Sequence, residues 1–130
     1  MQENRVINFY PDAFDPMFWR NRHRNTRAWH NFHMNNPKIF QEICKIADKM
    51  AETRTHYSIE TIIHVLRYHR DIDTVSEDHY KINNNHKVFY SRLYMKLRNL
   101  DGFFSVKDES LANEIDWDEY IKVYGNKFGL

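Results

Sequence analysis

The segment NPKIFQEICKIADKM, residues 36–50, constrains the fold more than any other stretch of the chain. Ile39, Phe40, Ile43, Ile46, Ala47 and Met50 recur at three- and four-residue spacing, which gathers them on one face of a helix and scatters them over both faces of a strand. Asn36 supplies a cap, and Pro37 stands at the first helical position, where its missing N–H costs nothing. The pattern predicts a helix to about Thr53. Such a helix is stable only if its apolar stripe is buried, so the rest of the chain has to supply the cover.

Two further segments offer it. Ser58 is a natural cap for a helix with Ile59, Ile62, Ile63 and Leu66 on one face and Glu60, His64, Arg67 and Arg70 elsewhere, ending near His69 to Ile72. The polar stretch DIDTVSED then reads as a loop, and Tyr80-Lys81-Ile82 as a short extended segment. A third helix is predicted from Asn85 or His86 to Asn99. At 100° per residue Phe89, Tyr90, Leu93, Leu97 and Leu100 gather on one side, while Lys87, Ser91, Tyr94 and Arg98 form an exposed basic stripe on the other. Asp101-Gly102 is a turn signal, Phe103–Lys107 reads as a short strand, and Asp116 caps a last short helix that Gly125 closes.

Aromatic residues make up 15% of the chain against three glycines and three prolines, which excludes a disordered chain and disfavours a turn-rich all-β fold. At 130 residues one domain can bury roughly two thirds of its unfolded surface without staples. The expected fold is mainly α, a three-helix core with a short strand or β-hairpin. Its element order resembles a winged-helix or helix-turn-helix layout, an analogy only. Residues 1–31 read as an aromatic, Arg-rich N-terminal arm with at most one short helix, 32–107 as the helical core, and 108–130 as an acidic C-terminal segment.

Nineteen Lys and Arg face eighteen Asp and Glu, but the balance is global and not local. Arg20, Arg22, Arg24 and Arg27 occur in a stretch without acids. Lys81, Lys87, Arg92, Lys96, Arg98 and Lys107 are opposed nearby only by Asp101, and acids concentrate at Asp108, Glu109, Glu114, Asp116, Asp118 and Glu119. Cys44, the single cysteine, sits on an apolar helix face and reads as packing in a reducing compartment. No apolar run is long enough to span a bilayer and the N-terminus lacks a secretory pattern, so a cytoplasmic protein is expected.

Three segments, FHMNNPKIFQEICKIA, HYSIETIIHVLRY and above all YKINNNHKVFYSRLYMKLRNLDGFF, resemble a family of small proteins found in bacteriophages and bacterial genomes. The likeness covers roughly residues 32–107. Its most specific part is the triple asparagine followed by an aromatic, an arginine and Gly-Phe-Phe. The family often has Pro just before the Gly-Phe-Phe region, where this chain has Asn99-Leu100-Asp101, and Ala before the Arg, where it has Ser91. The resemblance implies a phage or prophage origin and brings no established activity.

The asparagine run admits two readings. Asn caps helices and tolerates turns, so three in a row can serve folding alone. Alternatively Asn83 and Asn84 present amides at the first turn of a helix entering the major groove of double-stranded DNA. Lys87, Arg92, Lys96 and Arg98 would then meet phosphates, with Ser91 and Tyr94 on the same stripe. Arg20, Arg22, Arg24 and Arg27 would lie along the backbone or in a minor groove, or else pair with the acidic tail.

Eight histidines show no metal-ligand spacing: His30 and His33 are three apart, His64 and His69 five apart, and no HExxH or paired-cysteine framework exists. Pro11-Asp12 begins a nuclease-like pattern that nothing completes. No catalytic residues, metal or cofactor are therefore expected. The leading reading is a non-enzymatic nucleic-acid-binding protein. The alternative is an interaction protein that docks on a host or defence protein through exposed aromatics such as Trp29, Tyr94 and Trp117.

Overall fold

In the computed structural model, which describes residues 21–73 and 82–125, the chain forms α1 (Arg24–Asn35), α2 (Pro37–Ala51), α3 (Ile59–Asp73), α4 (Lys87–Arg98) and α5 (Trp117–Tyr124). Short 3-10 turns at Asn84–His86 and Leu111–Glu114 lead into α4 and α5. Among the described residues no strand occurs. Phe103–Lys107, expected as a strand, runs as bends and coil because its two phenylalanines point into the core instead of alternating. The Tyr80-Lys81 part of the other expected extended segment lies outside the described residues.

The largest departure from expectation is α1. Residues up to 31 read as an irregular arm, yet a twelve-residue helix runs through that boundary to Asn35. Its inward face is Thr26, Trp29, His30 and His33, the i, i+3, i+4, i+7 positions of a helix. His23 caps it, with Nδ1 accepting from the backbone N–H of Asn25 at 3.0 Å. Asn36 acts here too. Its side chain turns back to donate to the Phe32 carbonyl at 3.0 Å and makes no cap bond to α2, whose start is left to Pro37.

α2 and α3 match their sequence patterns. Ile39, Phe40, Ile43, Cys44 and Ala47 are buried on α2, and Ile62, Ile63 and Leu66 on α3. Ser58 Oγ accepts the Thr61 N–H at 3.2 Å, closing the first turn of α3. α4 ends at Asn99 in the left-handed conformation (φ 57°, ψ 47°), which lets the Leu100 N–H reach the Met95 carbonyl at 2.9 Å. Gly102 follows at φ +83°, a value that strains any residue with a Cβ, and the turn folds Phe103 and Phe104 back under Tyr94 with ring centroids at 5.9 and 5.5 Å.

The acidic C-terminal segment is built into the body. Ser110 and Asp116 cap the second 3-10 turn and α5, the latter accepting from Glu119 N–H at 3.1 Å. The Trp117 indole N–H donates to the Ala112 carbonyl at 2.9 Å. Gly125 stands at the end of α5 as expected, but right-handed (φ −57°, ψ −42°). Glu114 accepts from Thr26 Oγ1 at 2.7 Å and from the His23 N–H at 3.1 Å, so a carboxylate sits at the positive end of the α1 dipole. Glu114 thus meets this segment through a backbone N–H and a threonine hydroxyl.

α4 is the central helix. Trp29 of α1 stacks on Phe89 at 5.3 Å and meets Tyr90 edge-on at 5.7 Å, while Tyr94 and Lys87 reach across the opposite side to Asp48 of α2 and Glu60 of α3. Both sides of α4 are occupied, and the candidate interface has to be judged against that.

Candidate nucleic-acid interface

The asparagine run is largely consumed by the fold. Asn83 Oδ1 accepts the Asn85 N–H at 2.8 Å and so caps the 3-10 turn before α4. Asn84 Oδ1 accepts from Arg67 at 2.9 Å, and the same guanidinium nitrogen donates to the Ile82 carbonyl at 2.6 Å. Arg67 thereby latches the end of the loop to α3. Of the two amides assigned to base reading, one is a helix cap and the other half of that latch; the exposed Asn85 side chain is the remaining one.

The basic stripe predicted on α4 also has a different environment. Ser91 is 1% exposed and Tyr94 0%, so neither lies on an outer surface. Ser91 donates to the Lys87 carbonyl within its own helix at 2.9 Å. Tyr94 donates to Asp48 Oδ1 at 2.6 Å, and Arg98 binds both oxygens of that carboxylate at 3.0 Å each. Lys87 pairs with Glu60. The face bearing Lys87, Ser91, Tyr94 and Arg98 looks polar in sequence because it carries a polar seam against α2 and α3.

The charges on this seam shift accordingly. Arg98's hydrogen bonds hold the Asp48 carboxyl below the usual carboxylate range against an opposing effect of burial, with the Tyr94 hydroxyl helping. Burial, with Asp48 beside it, raises the Tyr94 phenol, and burial pushes the Cys44 thiol up to about 12, which leaves that thiol inert.

What α4 shows to solvent is a narrower stripe, Asn85, Val88, Arg92, Lys96 and Asn99, half-buried or exposed at four-residue and three-residue steps. Lys96 carries a loose partner, Asp118 at 3.1 Å, with side chains 45% and 79% exposed. Pairs this exposed contribute about 0–1 kcal/mol. Arg92 is half-buried, and its Nε is buried without a hydrogen-bond partner among the described residues.

The other expected cations gather at the start of α1. Arg24 is exposed and Arg22 and Arg27 are half-buried, on an element with no acid of its own. Arg20 lies outside the described residues. Trp29, Tyr94 and Trp117, expected as exposed anchors, are all buried; Trp29 is surrounded by the rings of His33, Phe89, Tyr90, Trp117 and Tyr120. Tyr68 of α3, which sequence reading did not single out, is the large exposed aromatic.

His30, His33 and His86 are packed into the body. His30 Nδ1 lies 2.9 Å from the Tyr120 hydroxyl, and His33 is stacked on Trp29 at 5.3 Å. Burial, with His30 adding to it, lowers His33 to about 3, and burial lowers His86 to about 4. Among the described residues no group of three or more His, Cys, Asp or Glu side chains is arranged to hold a metal, and no helix is long and apolar enough to cross a membrane. A groove of about 660 Å³ runs between α2 and α3, walled by Ile39, Ile46, Met50 and Leu66 and rimmed by Lys45 and Lys49. No family model matches the chain, and neither a curated protein nor a solved structure matches it.

Proposed function

We propose that this chain is a small phage or prophage protein that acts in the host cytoplasm without catalysis, binding nucleic acid through phosphate contacts centred on the start of α1. The observation that carries this reading is the gathering of Arg22, just before α1, with Arg24 and Arg27 in its first turns, on a helix with no acid of its own whose end is capped by the Glu114 carboxylate. Helix stability alone disfavours cations there. Phosphate oxygens answer the arginine side chains, while the Glu114 carboxylate already answers the helix end. Arg92 and Lys96 extend the cationic surface on α4.

The order α2, α3, α4 keeps the proposal near helix-turn-helix proteins. A recognition helix must expose a broad face to the groove, however, and α4 buries Phe89, Tyr90, Ser91, Leu93, Tyr94 and Met95. With the Asn83 and Asn84 amides engaged, the contacts favoured are to the backbone, so binding is expected to be independent of sequence.

Fluorescence anisotropy on random double- and single-stranded DNA over a salt series tests this. Three phosphate contacts predict a slope of log affinity on log salt of roughly −2 to −3. Arg24→Glu with Arg27→Gln is expected to flatten the slope and weaken binding while circular dichroism stays unchanged. Absence of binding at low salt, or wild-type affinity in that variant, sinks the reading. A second reading, docking on a host or defence protein, is favoured by exposed Tyr68 and by the α2–α3 groove, whose lysine rim suits an apolar segment ringed by carboxylates.

A further inference from the structure

Along the outward stripe of α4 lies a second cavity, of about 370 Å³, between the C-terminal half of that helix, the turn at Asp101–Gly102 and the start of α5. Its apolar wall is Met95, Val106 and Trp117, and Arg92, Lys96 and Asp118 supply its polar edge. The volume is in the range of small-molecule sites, and a mostly apolar wall with a few convergent polar groups is what such sites share.

Two features are not explained by folding. Arg92 Nε is buried with no hydrogen-bond partner among the described residues, although a guanidinium normally satisfies its in-plane donors when taken out of water. Val106 leaves 48% of its surface exposed at the mouth. A ligand carrying a planar anion on an apolar body fits this lining, since a carboxylate meets the cationic edge supplied by Arg92 and Lys96 and the body covers Val106 and the indole edge. Lys96 is available as a second cation because its partner Asp118 is held only by a solvent-exposed pair. Asp101 and Asp118 at the rim disfavour a dianion.

We propose that this cavity binds small monocarboxylates with an aromatic or aliphatic body, the carboxylate on Arg92 and Lys96 and the body against Trp117 and Val106. The site is separate from the start of α1, shares Arg92 and Lys96 with the cationic surface of α4, and is tested without nucleic acid.

The test is a titration of the isotope-labelled full chain followed through the Arg92 Nε–H and Trp117 indole N–H signals by nuclear magnetic resonance. Phenylacetate is expected to shift both saturably. Acetate, benzyl alcohol and phenyl phosphate, which lack the body, the charge or the single charge, are each expected to bind at least about tenfold more weakly, a difference near 1.4 kcal/mol. Arg92→Met, which keeps an apolar chain of similar reach, is expected to lose about tenfold in phenylacetate affinity with its spectrum otherwise folded. No saturable shift up to about 5 mM phenylacetate, where a millimolar site would be mostly filled, overturns the proposal. Equal binding of benzyl alcohol or phenyl phosphate, or undiminished affinity in Arg92→Met, overturns it as well.

Discussion

The two sides of α4 are held by different physics. Toward α1 and α5 the contact is aromatic and dry: Trp29, Phe89, Tyr90, Trp117 and Tyr120 meet at ring separations between 5.3 and 5.7 Å, and the two histidines of α1 are buried in the same layer. Toward α2 and α3 the contact is a seam of hydrogen bonds and ion pairs, Tyr94 and Arg98 on Asp48, Lys87 on Glu60, and Arg67 across to Asn84. Burial of large rings scales with area and contributes most of the stability. The polar seam fixes how the α2–α3 pair sits against α4 and contributes less, because its charges stay close to water.

The first expected consequence is an asymmetry in truncation. Trp29→Ala removes the hub of the aromatic side, whose side chain is fully buried, and is expected to cost about 3–5 kcal/mol in urea unfolding. A loss of under about 1 kcal/mol would mean the layer is loosely packed and the comparison fails at its stronger side.

The aromatic side also carries a pH dependence. Burial lowers His33 to about 3, with His86 at about 4 on the turn before α4, whereas both titrate near 6.5 when unfolded. Below pH 6.5 the unfolded chain therefore binds more protons than the folded one, and stability falls as pH drops. Each histidine adds a slope approaching about 1.4 kcal/mol per pH unit, levelling off below its folded value. Unfolding free energies between pH 7 and 4 should show this decline, and His33→Phe should remove about half of it. An unchanged slope in that variant would place the titration elsewhere.

Asp48 is the corresponding point of the polar seam. Asp48→Ala leaves the buried Tyr94 hydroxyl without its acceptor and Arg98 without its bidentate partner, and is expected to cost about 1–2 kcal/mol, reduced because the carboxylate is half exposed. Tyr94→Phe should cost less, since Arg98 still satisfies the carboxylate. The reverse order of the two variants would show that the tyrosine, not the carboxylate, organises the seam.

How much of this was legible in sequence follows from the same contrast. α2 and α3 bury Ile, Leu and Phe at helical spacing, so their period was visible. α1 buries Thr26, Trp29, His30 and His33, residues without a common apolar period, so the segment reads in sequence as an irregular arm. The period of α4 is visible too, but polarity is not exposure on the face of Lys87, Ser91, Tyr94 and Arg98: Ser91 and Tyr94 are buried and Lys87 half-buried, while Arg98 is exposed as expected. What makes that face internal is a partner carboxylate 50 residues away, Asp48, which local pattern does not reveal. The cap roles of Ser58, Asn83 and Asp116 were readable because capping is local. The Arg67 latch and the cavity beside Arg92 were not, because each is assembled from separate elements.

The smallest expected effect belongs to Lys87 and Glu60, and it sharpens the comparison most. The pair lies at the open end of the seam, with side chains 31% and 63% exposed, and Lys87 holds the Glu60 carboxyl below its usual range through a direct hydrogen bond and charge. That shift alone would stabilise the fold above the unfolded carboxylate range and be lost as pH falls through the lowered value. Water and salt screen an exposed pair, however, and two long side chains give up freedom to hold one geometry. A double-mutant cycle with Lys87→Met and Glu60→Gln is therefore expected to give no resolvable coupling at physiological salt and a small one at low salt. A coupling comparable to that of Asp48 with Arg98 would mean that the Lys87–Glu60 charge pair holds α3 on α4 as firmly as the Tyr94 and Arg98 hydrogen bonds hold α2.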